Sequence, residues 1–123
     1  MPRLLALSCL SLALGLVPTA FAATAYVSNE KDNNLSVIDL DTLAVTGTID
    51  TGKRPRGLAL SHDNKLLYVC ASDSDTVQVI DLASRKIIKQ LPSGADPEQF
   101  ALHPNDRWRY VSNEDDALVT DTG

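Results

Sequence analysis

The chain repeats itself with a period of 42 residues. Tyr26, Tyr68 and Tyr110 each begin a Tyr-Val segment. When residues 26–67 are aligned with residues 68–109 without a gap, ten positions are identical, and they cluster in short hydrophobic segments and around glycine and proline. A unit of about 40 residues cannot bury both faces of its own secondary structure, so repeated units have to stack on one another. The period therefore predicts a repeat architecture.

Each repeat reads as short β-strands separated by turns. Thr76–Leu82 is β-branched and aliphatic, which suits a half-buried pleated surface, and Ser72–Asp75 before it is typical of a turn. Pro55 and Pro97 lack an N–H and are expected at the first residue of a strand. Four-stranded antiparallel sheets at this period are typical of propeller blades, so the fold class is all-β, a β-propeller. The predicted strands are Pro55–Leu60, Leu66–Ala71, Thr76–Leu82, Lys86–Leu91 and Pro97–Leu102.

These strands amount to an incomplete propeller of about 2.3 repeats, with copies that start near residues 26, 68 and 110. Residues 24–54 hold three strands of a first blade, residues 55–94 a complete second blade, and residues 95–123 about two and a half strands of a third. Since propellers usually have four to eight blades, a closed ring of this period takes roughly 170 to 340 residues. We expect an N-terminal fragment of a longer propeller, with the neighbouring blades of the full-length protein as partners. The alternative is a short form that assembles several copies into a ring.

Residues 1–23 read as a cleaved secretory signal peptide. Arg3 supplies a basic start, Leu4–Val17 is an apolar run, and Ala20–Ala22 has the small-x-small spacing that a signal peptidase requires. The run is too short for a membrane span. The segment predicts a periplasmic or secreted protein with no membrane association after cleavage.

The charge balance argues against a nucleic-acid partner. The chain has 16 acidic and 11 basic side chains and a net charge of −5, and an acidic protein repels phosphate backbones. Cys9 lies in the predicted signal, so Cys70 is the one cysteine left after cleavage. Its apolar neighbours Val69 and Ala71 indicate a buried, inert thiol rather than a reactive one.

The amino-acid sequence of the repeats resembles that of a known family. Tyr26–Asn29, Tyr68–Ala71 and Tyr110–Asn113, followed by strands such as Leu35–Asp39 and Val77–Asp81, resemble the YVTN-type β-propeller repeat. More narrowly, the Tyr-Val-Ser-Asn-Glu start of the first and third copies is similar to periplasmic β-propeller proteins associated with PQQ-dependent alcohol catabolism. The resemblance implies a periplasmic accessory protein without an assigned reaction. We expect a periplasmic quinoprotein or a small polar ligand as its partner.

Four charged residues at the crossovers between blades form the candidate ligand-binding site. Arg54 aligns with Asp96 and Arg56 with Glu98, so adjacent blades present opposite charges at equivalent positions. Two arginines can recognise a carboxylate, and two acids can accept hydrogen bonds from hydroxyls or amines. The alternative is that the pairs are salt bridges between blades or solvated turns. In a propeller these crossovers open on the same face as the turns between second and third strands, here Glu30–Asn34, Ser72–Asp75 and Glu114–Asp116.

No catalytic residue, metal ligand or cofactor is assigned from the sequence. It contains no haem-attachment motif, cysteine pair, Gly-x-Ser-x-Gly elbow, P-loop or dinucleotide fingerprint. His62 and His103 belong to turn segments, where capping is the expected role. Asp73–Asp75 lacks the glycine and the distant glutamate of a dedicated calcium loop.

Two functional hypotheses remain. The first, which the missing catalytic motifs favour, is a non-catalytic periplasmic binding or accessory protein linked to PQQ-dependent alcohol catabolism. The second is a lactonase-like or quinoprotein-like enzyme whose active-site residues lie mostly in other blades.

Overall fold

The computed structural model describes residues 23–105, 107 and 109–122. The predicted signal peptide lies, apart from Ala23, outside the described residues, so it stays a prediction. None of the helical segments in the described ranges has the length and apolar character needed to cross a membrane.

The described residues form ten strands and one 3-10 turn, Ser72–Ser74. Three of the five strands predicted from the sequence have the observed bounds, and the other two differ from them by one residue at their ends: Thr76–Leu82 ends at Asp81 and Lys86–Leu91 ends at Pro92. The strands are β1 (Thr24–Asn29), β2 (Asn34–Asp39), β3 (Ala44–Asp50), β4 (Pro55–Leu60), β5 (Leu66–Ala71), β6 (Thr76–Asp81), β7 (Lys86–Pro92), β8 (Pro97–Leu102), β9 (Arg109–Asn113) and β10 (Leu118–Thr122).

The strands make three antiparallel sheets, which we call the first, second and third blades. The second blade has four strands in the order β4-β5-β6-β7, whereas the first (β1-β2-β3) and third (β8-β9-β10) have three each. The all-β, blade-type fold predicted from the repeat is confirmed. The third strand of the third blade, expected to be only half present, pairs with β9 from Leu118 to Thr122. It does so because ladder hydrogen bonds come from the backbone and tolerate the altered side chains there.

Residues one period apart hold the same place in successive sheets. Tyr26 pairs with Val37 and Tyr68 with Val79, and the irregularity between β2 and β3 recurs at the equivalent step between β6 and β7. The register of the second strand with the third is therefore a property of the repeat.

The core lies between the blades. One cluster joins Leu35 and Val37 of the first blade to Leu67, Val69 and Ile80 of the second. A second cluster lies on the opposite face of the second blade, where Tyr68, Val77 and Val79 meet Val111 of the third. Successive residues along each strand of the second blade point to opposite faces, so this blade packs against the first blade on one side and the third on the other.

The inner strands β4 and β8 approach closely at one glycine. A Cβ added to Gly57 would overlap the carbonyl oxygen of Glu98 and lie 2.9 Å from Cα of Gln99. The equivalent of Gly57 in the third blade is Gln99, which is exposed. Absence of a side chain at residue 57 thus sets the distance between the two inner strands.

Candidate functional site

The connections between blades are residues 51–54, the first crossover, and residues 93–96, the second crossover. They lie on the same side of the molecule as the turns between second and third strands, and we call this side the polar face. The N–H of Arg54, in the first crossover, donates to Asn33 Oδ1 at 2.9 Å. The N–H of Asp96, in the second crossover, donates to Asp75 Oδ1 at 3.0 Å. Each crossover is therefore fastened to the turn of the preceding blade by a side-chain oxygen at the same repeat position.

Backbone conformation repeats here even where residue type does not. Asn33, Asp75 and Ala117 all have left-handed φ angles between 50° and 55°, and Arg54 and Asp96 have φ angles of 54° and 44°. Asparagine and aspartate tolerate this region better than most residues. The repeat therefore fixes a path for the backbone and leaves the charge of each position free to vary.

Buried amide side chains hold the crossovers from beneath. In the third blade, Asn113 Nδ2 donates to the carbonyl oxygens of Ser93 and Ala95 at 2.7 and 2.6 Å. In the second blade Ala71 replaces this asparagine, and Gln78 Oε1 instead accepts from Gly52 N at 2.7 Å. Sequence reasoning missed both amides. The signal that could have found them is that residue 71 is alanine, whereas the equivalent residues 29 and 113 are asparagine.

Arg56 is the centre of an ion-pair network drawn from three blades, which we call the Arg56 cluster: Arg56, Glu30, Glu98 and Glu114. Its Nη2 contacts Glu98 of β8, its Nη1 lies 2.5 Å from Glu114 Oε2, and its Nε lies 3.4 Å from Glu30 Oε1. The Arg56 side chain is 18% exposed. The hydrogen bond to Glu114, with the charges of Glu98 and Glu30, raises the pKa of the Arg56 guanidinium. Arg56 and Glu98 are thus brought together as the repeat register suggested.

Arg54 belongs to a more open arrangement. Its Nε lies 3.7 Å from Glu30 Oε2, and its Nη1 lies 3.6 Å from Asp73 Oδ1. The Arg54 side chain is 39% exposed, so these exposed pairs contribute little to stability.

Asp96 differs from the other three predicted site residues because it is buried. It is 7% exposed, and among the described residues its Oδ1 has no hydrogen-bond partner. Desolvation raises the pKa of the Asp96 carboxyl, and the negative charges of Asp115 and Glu114 act in the same direction.

The arrangement changes what the four predicted residues can recognise. Three carboxylates surround the single guanidinium of Arg56, so each of its three nitrogens already lies near an oxygen of Glu98, Glu114 or Glu30. A ligand carboxylate would have to compete with them. The contact between Arg56 and Glu98 matches the salt-bridge alternative, while Arg54 and Asp96 line open clefts.

Two clefts of similar size lie on the polar face, one beside each crossover. The first, about 410 Å³, we call the basic cleft; it is lined by Glu30, Lys31, Asn33, Lys53, Arg54 and Asp73. The second, about 380 Å³, we call the acidic cleft; it is lined by Arg54, Ser72, Asp73, Asp75, Ala95, Asp96 and Asp115.

The remaining candidate groups are explained by packing. Cys70 is fully buried, and burial raises the pKa of its thiol to about 12, as expected for an inert cysteine. His62 Nε2 lies 3.3 Å from the carbonyl oxygen of His103, a contact between turns of adjacent blades. In the described ranges no group of three or more His, Cys, Asp or Glu side chains is arranged to hold a metal ion.

The model of the YncE-like β-propeller family matches residues 2–118 of the chain. Two curated relatives, each called uncharacterized protein YncE, from Salmonella typhi and Salmonella typhimurium strain LT2, are 44% identical over 52 residues. That match covers 42% of this chain and 15% of each relative. The chain thus spans a small part of the curated relatives that it matches.

Solved structures give the same fold. Hydrazine synthase of Kuenenia stuttgartiensis is 30% identical with a TM-score of 0.69, over 73% of this chain and 26% of that one. The dihydro-heme d1 dehydrogenase NirN, 22% identical with a TM-score of 0.64, is matched over 75% of this chain and 20% of that one. A functionally unknown protein from Desulfotomaculum acetoxidans is 16% identical with a TM-score of 0.66, over 76% of this chain and 32% of that one. The last two likenesses concern the fold alone.

Proposed function

Because the chain belongs to the YncE-like β-propeller family, we propose that it is the binding part of a non-catalytic periplasmic accessory protein. Its polar face contacts a periplasmic quinoprotein or a small polar ligand in PQQ-dependent alcohol catabolism. The link to that catabolism is supported by the resemblance of the Tyr26–Glu30 and Tyr110–Glu114 segments to accessory propellers of such systems.

The Arg56 cluster is the observation that carries this proposal. It joins charged side chains of three blades beside the first residues of the inner strands β4 and β8. Glu30 and Glu114 within it are about half exposed, at 49% and 51%. A partly desolvated charge network that still faces solvent is suited to orienting a polar partner.

Further blades are the second element of the proposal. Val77 is fully buried between the second and third blades, whereas its repeat equivalent Val119 is 71% exposed; Tyr68 is 5% exposed and Tyr110 is 40% exposed. We propose that a neighbouring blade of the full-length protein covers this face of the third blade, as the third blade covers the second.

An enzyme of lactonase-like or quinoprotein-like type is the second candidate. The 30% identity to hydrazine synthase supports it, because the name of that neighbour describes an enzyme. In that case the catalytic groups would come from other blades, and the polar face described here would form one side of the active site.

Binding to a purified PQQ-dependent alcohol dehydrogenase from the same organism tests the first candidate. We expect binding that weakens when exposed Glu114 is changed to Gln. Asp41→Asn is the matched control, because Asp41 is an exposed acid in the turn between β2 and β3, at the opposite end of the strands. No binding to the dehydrogenase, or equal effects of both substitutions, would count against the proposal. Amino-terminal sequencing of the protein from a periplasmic extract tests export, with a mature end near residue 23 expected.

A further inference from the structure

The basic and acidic clefts are the same site in two copies of the repeat. Adding one period to each of the six residues that line the basic cleft gives six of the seven that line the acidic cleft. Asn33 corresponds to Asp75, Arg54 to Asp96 and Asp73 to Asp115. The seventh residue of the acidic cleft, Arg54, lines both.

The two clefts share a backbone frame. In each, a side-chain oxygen of the preceding turn accepts from the N–H of the crossover residue, from Asn33 in one and Asp75 in the other, at 2.9 and 3.0 Å. Both crossover residues are in the left-handed region. Differences between the clefts therefore come from side-chain chemistry.

The charges of the two clefts are opposite. Three cationic side chains, Lys31, Lys53 and Arg54, outnumber two carboxylates in the basic cleft. In the acidic cleft one cation, Arg54, faces four carboxylates, those of Asp73, Asp75, Asp96 and Asp115. Arg54 is already close to Asp73, and no salt bridge among the described residues joins Asp75, Asp96 or Asp115 to a cation.

Asp96 provides an independent sign of a missing partner. Asp96 is 7% exposed, it lines the acidic cleft, and its buried Oδ1 receives no hydrogen bond from any described residue. A poorly solvated carboxylate without a donor is costly, so a ligand that brings an N–H donor to this carboxylate gains more than the same contact would give in water.

We propose that the acidic cleft binds a small organic amine in its protonated form, with the ammonium group donating to the carboxylate of Asp96. This rests on the binding role proposed above and names the ligand class of one site on the polar face. A volume of about 380 Å³ is in the range of small-molecule sites and exceeds what a bare ion needs. Ammonium donors form charge-assisted hydrogen bonds to carboxylates, and the neighbouring Asp75 and Asp115 add attraction for a second positive centre.

Calorimetric titration of the full chain with 1,4-diaminobutane tests the proposal, with 1,4-butanediol as the uncharged probe of the same length and CaCl₂ as the inorganic cation. We expect the diamine to bind at least about tenfold more tightly than the diol, because it alone can form charge-assisted contacts. Equal affinities for diamine and diol, or tighter binding of Ca²⁺ than of the diamine, would overturn the proposal.

Variants locate the binding. Asp96→Asn is expected to weaken diamine binding about tenfold or more, because it removes the buried charge. Asp75→Asn is expected to weaken it only a few-fold; this change copies Asn33 of the basic cleft and so keeps the oxygen that anchors the crossover. Lys31→Gln, in the basic cleft, is the control and should leave diamine affinity unchanged. Unaltered affinity in Asp96→Asn would refute the site.

The outcome is separable from that of the function proposed above. Loss of diamine binding with retained binding to the quinoprotein rejects the amine site and leaves the accessory role in place. Failure to bind the quinoprotein together with Asp96-dependent binding of the diamine keeps the amine site and rejects the accessory role.

Discussion

The crossover from the first to the second blade and the crossover from the second to the third follow one backbone path and use different side chains to hold it. In the third blade, Asn113 donates to the crossover and accepts from Thr120 at 2.6 Å. In the second blade, Ala71 and Gln78 occupy the equivalent positions, and the long amide of Gln78 reaches the crossover alone. The pair Asn113 and Thr120 of the third blade thus corresponds to the pair Ala71 and Gln78 of the second blade. The same backbone geometry is therefore held by two residues that change together rather than by one fixed residue.

The largest effect on stability is expected at the close contact between β4 and β8. Gly57→Ala places a methyl group onto the backbone of Glu98 and Gln99, so the two inner strands must separate. We expect a loss of about 3 kcal/mol in the free energy of unfolding, measured by chemical denaturation. Gln99→Ala, at the exposed equivalent position, is the control and should change stability little; equal losses would contradict the close approach of the strands.

Replacing the Ala71 and Gln78 pair of the second blade by the pair found in the third blade tests whether the two arrangements are equivalent. Gln78→Thr leaves the N–H of Gly52 without its buried acceptor, and we expect a loss of about 1.5 kcal/mol. Adding Ala71→Asn recreates the pair found in the third blade and should recover at least half of that loss. Stability of the single and double variants is compared by thermal unfolding, and a further loss on adding the asparagine would show that the two arrangements are not interchangeable.

A smaller effect with a defined pH dependence is expected at the charged positions. Asp96→Asn removes a poorly solvated charge and should raise the free energy of unfolding by about 1 kcal/mol near neutral pH. Since the pKa of Asp96 is raised in the folded protein, the wild-type carboxyl takes up its proton first in the folded state as pH falls. The wild type therefore gains stability through that window, and the advantage of the variant shrinks.

Asp63 provides the opposite case. Hydrogen bonds from Ser61 and from the N–H of Lys65 lower the pKa of the Asp63 carboxyl. Its ionised form is favoured by folding, so Asp63→Asn should reduce stability near neutral pH, and the difference should vanish as pH falls through the folded pKa of Asp63. A loss of stability in Asp96→Asn at neutral pH would contradict the electrostatic account of Asp96, and a gain in Asp63→Asn would contradict that of Asp63.

Much of the fold could be predicted from the sequence because short stretches of residues determine where each strand begins and ends. Proline at residues 55 and 97, β-branched residues in Thr76–Asp81 and polar turn clusters set strand bounds within one residue. The repeat then fixes the register between strands and the order of strands within a blade.

The site was less predictable because its contacts cross between blades. Arg56 and Glu114 are 58 residues apart in the chain, and their contact depends on how closely β4 and β8 approach, which Gly57 decides. The alignment placed Arg54 and Asp96 at equivalent positions, but it could not indicate that one is exposed and the other buried. The raised pKa of Asp96 also depends on the negative charge of Asp115, whose equivalent in the first copy is the cation Lys31.

Amide hydrogen exchange at Arg54 and Asp96 tests most directly whether one backbone path is fastened separately in each copy. Asn33→Ala should accelerate exchange of the Arg54 amide and leave Asp96 unchanged, while Asp75→Ala should accelerate Asp96 and leave Arg54 unchanged, since each anchor holds only its own crossover. Acceleration of both amides by either substitution, or of neither, would contradict the account.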